Sequence, residues 1–160
     1  MDGELPAIQV ELSGFSVRRR PESGDPNAKP GIQVYANGRF HALTAGGIVS
    51  TGSISRAQLS TLLTFFQQER VLGLTNAAVQ QAIDKDAQRQ ADQNKRISGR
   101  WSSHPVRIHL IIRTVSGVTD VERRALYDEM SSHPDVWELA AIRNSVDKIY
   151  EVVLGKDAKR

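Results

Sequence analysis

Ile8, Val10 and Leu12 alternate with Gln9, Glu11 and Ser13, the period of two expected of a strand with one buried face. After Gly14 the alternation resumes at Phe15 and Val17 on the other parity. A strand over residues 8–18 with a β-bulge at the glycine is therefore expected. Residues 19–31 hold three Pro and two Gly among charged residues, which predicts a loop. Residues 32–44 predict a hairpin around Asn37-Gly38, since both residues tolerate positive φ. A two-residue loop there would set Tyr35 opposite Phe40 as an aromatic cross-strand pair. Gly46-Gly47 frees the chain to turn, and Ile48–Ser53 can add a short further strand.

Helical periodicity starts at Ser55. Ser55 with Gln58 fits a capping box, and Ile54 with Leu59 fits a hydrophobic staple. Leu59, Leu62, Leu63 and Phe66 make one apolar stripe, and Gly73 is placed to end the helix. Residues 76–96 are helix-prone with a narrow stripe of Val79, Ile83 and Ala87. Their polarity predicts a solvated helix within a polar insertion at about 76–100. Val106, Ile108, Leu110 and Ile112 alternate with polar residues and predict a strand. A turn at Ser116-Gly117 returns the chain through Val118–Ala125, with Val121 and Ala125 facing the core. This register sets Arg113 opposite Asp120, His109 near Arg124 and Arg123 opposite Leu110, a cost unless Arg123 lies near the sheet edge. Pro134 stands near the first turn of a last helix over 136–153. Val136, Leu139, Ala140, Val146, Ile149 and Val153 form its stripe, and Gly155 closes it. The alternative is a helix over Asp120–Met130 followed by a hairpin, half of a ferredoxin-like domain. The sustained 3.6-residue period over 136–153 favours the helix.

The pattern reads βββα(α)ββα: a single α+β domain over 1–160, with one antiparallel sheet of about five strands and helices packed on one face. The strand at 8–18, the Tyr35–Phe40 hairpin, Gly52 before Ser55, Leu59-x-x-Leu62-Leu63-x-x-Phe66 and the C-terminal Pro-x-Val-x-x-Leu helix follow in that order. This layout resembles a widespread bacterial family of small α+β domains of unknown function. The resemblance would cover most of the chain and supports the fold, but it implies no catalytic residue. The polar stretch at 76–100 departs from the family's layout as an insertion.

Composition narrows the chemistry. Hydrophobic residues are 39% and charged residues 24% of 160, an ordinary globular balance that argues against wholesale disorder, collagen and coiled coil. No apolar run approaches the ~20 residues of a membrane span, and the N-terminus shows no secretory signal pattern. Cysteine is absent, which removes disulfides, thiolate metal sites and cysteine nucleophiles. The net charge is +3, less than a dedicated nucleic-acid binder usually concentrates on one face.

Candidate chemistry is thin. His41, His104, His109 and His133 lack the paired spacing of metal ligands, and no cofactor is expected. Ser-Ser-His-Pro occurs at 102–105 and 131–134, close to Trp101 and Trp137, without a nucleophile elbow. A role in turns and caps accounts for both copies. Residues 46–53 lack the lysine of a phosphate loop. Asp84/Asp86 and Asp128/Glu129 sit in polar stretches without the apolar surround that acid–base work requires. Arg18, Arg19 and Arg20, with Lys95, Arg96, Arg100 and Trp101, could form a phosphate-contacting patch with one stacking platform.

Elimination leaves a non-catalytic protein-binding or scaffold module, which predicts an exposed apolar patch or an unpaired sheet edge. The alternative is weak nucleic-acid binding through the basic loops. A third class, an enzyme using His104 or His133 with a nearby serine, predicts a concave pocket holding one of those histidines.

Overall fold

The computed structural model describes residues 4–13, 30–44, 47–95 and 105–155. The elements are β1 (Ile8–Ser13), β2 (Gly31–Val34), β3 (Arg39–Leu43), β4 (Val49–Ser53), α1 (Arg56–Gln68), α2 (Asn76–Asp92), β5 (Arg107–Thr114), β6 (Gly117–Arg123), α3 (Leu126–Ser132) and α4 (Trp137–Leu154). The fold is α+β with one six-stranded sheet in the order β4-β3-β2-β1-β5-β6, every neighbouring pair antiparallel. The expected layout of about five strands is thus one strand and one helix short. Ile48–Ser53 does supply a separate strand, and α3 occupies the segment between the last strand and the last helix. The expected bulge at Gly14 lies outside the described residues, as does most of the expected loop at 19–31. Gly31 itself already belongs to β2.

Sheet alternation sorts the side chains. Ile8, Val10, Ile32, Val34, Ala42, Ile108, Leu110, Ile112 and Val121 form one buried cluster with Leu62 and Phe66 of α1 and Leu139, Ile142 and Ile149 of α4. Full burial of each large side chain is worth about 1.5–3 kcal/mol, so this layer holds the helices to the sheet. The opposite face carries Gln9, Glu11, Gln33, His41 and His109, between half-buried and exposed.

The β2–β3 turn sets that sorting. Tyr35 N–H donates to Arg39 C=O at 2.8 Å and Gly38 N–H to Tyr35 C=O at 2.9 Å. The loop is therefore three residues, a turn ending in a left-handed glycine, and the register is shifted from that of a two-residue loop. Phe40 faces Val34 rather than Tyr35. In the two-residue register Val34 and Ile32 would instead share a face with His41 and Leu43, mixing polar with apolar. Asn37 Oδ1 accepts from Arg39 N–H at 3.0 Å, and the Arg39 guanidinium lies 5.8 Å from the Tyr35 ring centre. Gly38 has φ +87°, and a Cβ there would sit 2.4 Å from Ile54 O.

Ser55 caps α1 as expected: its Oγ accepts from Gln58 N–H, and Gln58 Oε1 accepts from Ser55 N–H. The helix ends at Gln68, earlier than Gly73, through Arg70 at φ 58°. Gly73 instead donates its N–H to Thr119 Oγ1 at 2.7 Å, tying the α1–α2 connection to β6. The last helix is a helix throughout Trp137–Leu154 and stops at Gly155, so the hairpin alternative is excluded. Its buried face takes in Ala141, Ile142 and Ser145, whereas Ala140, expected on the stripe, is only half-buried.

The β5–β6 turn is Val115-Ser116 rather than Ser116-Gly117, with Thr114 opposite Gly117. That two-residue shift keeps the face of each side chain and changes its partner. Arg113 faces Val118, His109 faces Glu122 and Arg123 faces Ile108. Ala125 has left the strand and precedes α3. Arg123 is 8% exposed. β6 is an edge strand, and the buried guanidinium is met by both Glu129 carboxylate oxygens and by Gln80 Oε1.

Gly38→Ala should cost more than the ~1–2 kcal/mol of a left-handed alanine, because Ile54 O also blocks the methyl group. Gly73→Ala, at φ +82° with nothing within 4 Å, should cost only the backbone term. Urea unfolding midpoints of the two variants test this ranking; equal losses would refute it.

Candidate functional site

Two places outside the apolar core organise polar groups: the end of α2, and the two edges of the sheet. On α2 the buried positions are Val79, Ile83 and Asp86. The stripe that Val79 and Ile83 begin continues to Asp86, not to Ala87, and a carboxylate stands where the core calls for an apolar group. That spacing was the available signal for this residue.

Asp86 is 7% exposed and fully partnered. Its Oδ1 accepts from Arg89 Nε at 3.2 Å and from Arg89 Nη2. Its Oδ2 accepts from Gln90 Nε2 at 2.6 Å and meets His133 Nδ1 at 2.8 Å. The Arg89 guanidinium holds the Asp86 carboxyl down at about 2, against burial that would raise it, with His133 and Gln90 adding to the effect. The ionised carboxylate only accepts, so His133 Nδ1 carries the proton of that bond. Gln90 Nε2 also donates to Ser132 C=O at 3.1 Å, and Arg89 Nη2 donates to Asp135 Oδ2 at 2.9 Å. One carboxylate thereby ties α2 to the joint between α3 and α4.

Beside this tie lies a cleft of about 380 Å³ whose walls include Arg89, Gln90, Lys95, Ser131, Ser132 and Asp135. Histidine and serine are close in sequence here, yet no serine hydroxyl is hydrogen-bonded to the His133 ring among the described residues. Ser132 Oγ is buried without a partner among them. The bonds that meet on Asp86 hold α2 to the α3–α4 joint and account for the Asp86–His133 pair as a structural tie.

Arg18, Arg19, Arg20, Arg96, Arg100, Trp101 and His104 lie outside the described residues. Lys95 is exposed just past α2, in the cleft wall. His41 is exposed on the sheet's outer face. His109 Nε2 bonds Asp120 at 2.7 Å, with Glu11 4.0 Å from Nδ1. Among the described residues no group of three or more acidic or histidine side chains is arranged to hold a metal, and no helix is long and apolar enough to cross a membrane.

The sheet edges contrast. At β6, Thr75 bridges Asp120 and Asn76 Oδ1 accepts from Glu122 N–H at 2.8 Å, so the chain entering α2 covers that edge. At β4, Thr44 N–H bonds Ile48 C=O and Ile54 N–H bonds Gly38 C=O. The alternation between these bonds turns the main-chain groups of Ser50 and Gly52 toward β3 and those of Val49, Thr51 and Ser53 outward. These outward groups have no partner among the described residues. β4 itself contains no charged residue or proline, and Ile48 and Val49 are 60% and 37% exposed.

Replacing Asp86 by Asn should lower stability near neutral pH by about 2–3 kcal/mol, the scale of a hydrogen bond to a charged group. Because the folded carboxyl lies below its ordinary 3.8, its contribution is complete above that value and is lost as pH falls toward 2. Urea midpoints of parent and variant should therefore converge between those pH values; parallel curves would assign the acid sensitivity elsewhere. Compared with known proteins, the chain matches no family model, no curated protein and no solved structure.

Proposed function

We propose that this chain is a non-catalytic protein-binding module that takes an extended segment of a partner protein as an added strand along β4. The observation that carries the reading is the opposite treatment of the two edges. β6 is closed by Thr75 and Asn76 and carries Asp120 and Glu122, whereas β4 is uncharged and its outward main-chain groups have no partner among the described residues. Exposed edges are ordinarily blunted by charge, proline or cover, and an open one is the template for strand addition. Main-chain bonds supply the affinity, each worth about 0.5–1.5 kcal/mol net. Val49, Thr51 and Ser53 on the outer face favour neutral β-branched or small side chains opposite them. A contact of one short strand is small, so binding is weak and exchangeable.

Peptides selected from a random library against the full chain test this. They should be uncharged and extended, and should shift the backbone amides of Val49–Ser53. Thr51→Pro removes one outward N–H and leaves the bonds to β3 intact, since an edge strand tolerates proline with its N–H side toward solvent. It should weaken the selected peptides at least about tenfold, roughly 1.4 kcal/mol, with the melting temperature little changed. Peptides that map to the Lys95 cleft, or that bind Thr51→Pro equally well, would overturn the proposal. Oligonucleotide-induced shifts centred on Lys95 and lost with salt would move the function to the basic residues instead.

A further inference from the structure

We infer that the β4 edge also pairs with β4 of a second copy, antiparallel about a two-fold axis through Thr51, and that this self-pairing shields the edge until another strand displaces it. The inference rests on the strand-addition reading of the same edge.

The register of the strand is self-complementary. Outward main-chain groups fall on Val49, Thr51 and Ser53, symmetrically about Thr51. A two-fold axis there sets Thr51 opposite Thr51 of the second copy, and Val49 opposite its Ser53. Each is an outward residue facing an outward residue, so each can exchange hydrogen bonds as an antiparallel pair. An axis through Ser50 or Gly52 would also oppose outward residues, but it would pair only two of the three within the strand, Val49 with Thr51 or Thr51 with Ser53, whereas the axis through Thr51 pairs all three. The closed two-fold arrangement is also the commonest for identical chains.

Charge permits the pairing. A two-fold axis brings each side chain near it against its own copy, so a charge at the centre would repel itself. β4 carries none, and paired threonines across strands are mildly favourable. The nearest charged residue in the adjoining strand, Arg39, lies beside Ser53. In the joined sheet its row continues into Val49 and Leu43 of the second copy, well away from the other Arg39. The pairing also gives the exposed Ile48 a neighbour, because it lies toward the end of the second strand where Ser53 leads into Ile54. At β6 the same pairing is blocked over Asp120 and Glu122, where Thr75 and Asn76 lie along the strand.

A single strand pair falls below the area of a stable dimer, so self-association is weak, with half-dimerisation at about 0.1–1 mM. Sedimentation and NMR diffusion of the full chain across that range should show a monomer–dimer equilibrium. Thr51→Lys and Thr51→Glu, each shown to be folded by circular dichroism and urea midpoint, should each be monomeric. Mixed in equal amounts they should form a heterodimer at least about tenfold tighter than either variant alone, weakened by salt. Val118→Lys, on the exposed end of β6, should dimerise like the parent. A parent that stays monomeric to 1 mM, a dimer indifferent to Thr51→Lys, or a mixture that stays monomeric would overturn the inference. If the parent is monomeric while library peptides still bind at β4, self-pairing fails and strand addition stands. If the dimer forms through Thr51 and no peptide binds, the edge serves self-association alone.

Discussion

The left-handed turn at Gly38 is the constraint on which the rest of the sheet depends. A strand has two faces, and one residue of slip exchanges them. With three residues in the β2–β3 loop, Ile32 and Val34 share a face with Phe40 and Ala42, and the sheet has one apolar side for α1 and α4 to cover. The same turn places Gly38 C=O where Ile54 N–H closes the end of β4. That bond fixes which β4 residues spend their main-chain groups on β3 and which present them to solvent. The turn thus acts twice, once on the core and once on the edge that the functional reading uses.

The two edges then diverge for a reason that starts in α2. This helix has few apolar residues with which to hold its place. Polar ties do that work: Asp86 to the α3–α4 joint, Gln80 to Arg123, Asn76 to Glu122, and Gly73 to Thr119. Each is buried or half-buried at one end, where a lost partner would leave a polar group unsatisfied. Held there, the entrance to α2 lies along β6 and closes it. No comparable segment among the described residues lies along β4, because the chain leaves that strand directly through the capped start of α1 toward the helix layer.

Much of this was legible in the sequence. The alternations of β1 and β5, the Ser55–Gln58 cap and the period of α4 each combine a strong local preference with one-sided burial, and local pattern and tertiary need agree. The turn at Gly38 was legible as a turn but not as a three-residue one, since Asn-Gly suits both loop lengths and only the opposite strand decides. The α2 tie was missed because Asp86, read alone, is an ordinary helix-surface carboxylate. Its burial depends on His133, 47 residues away. α3 overlaps only the end of the helix weighed over Asp120–Met130, because the strand keeps the chain as far as Arg123, whose buried guanidinium finds its partner, Glu129, on α3 itself. The basic residues of 18–20 and 96–101 carried a functional expectation that rests on loops, where sequence pattern says least about relative position.

A neutral edge that no described residue covers is a liability unless something occupies it, since any extended chain of compatible register can add to it. The chain carries the means to avoid this: it guards β6 with acidic residues and a covering segment. Guarding β4 would need only one lysine or proline among five residues, and neither is there. Ile48 and Val49 add apolar surface at the same place. On the proposed reading, main-chain pairing at β4 is part of what the fold does. Weak pairing suits that role better than tight pairing, because a strand held by a few backbone bonds can be displaced by one that offers better side-chain contacts along Val49, Thr51 and Ser53. On that reading the edge is a site of exchange, and specificity lies in the small differences between neutral side chains that compete for it.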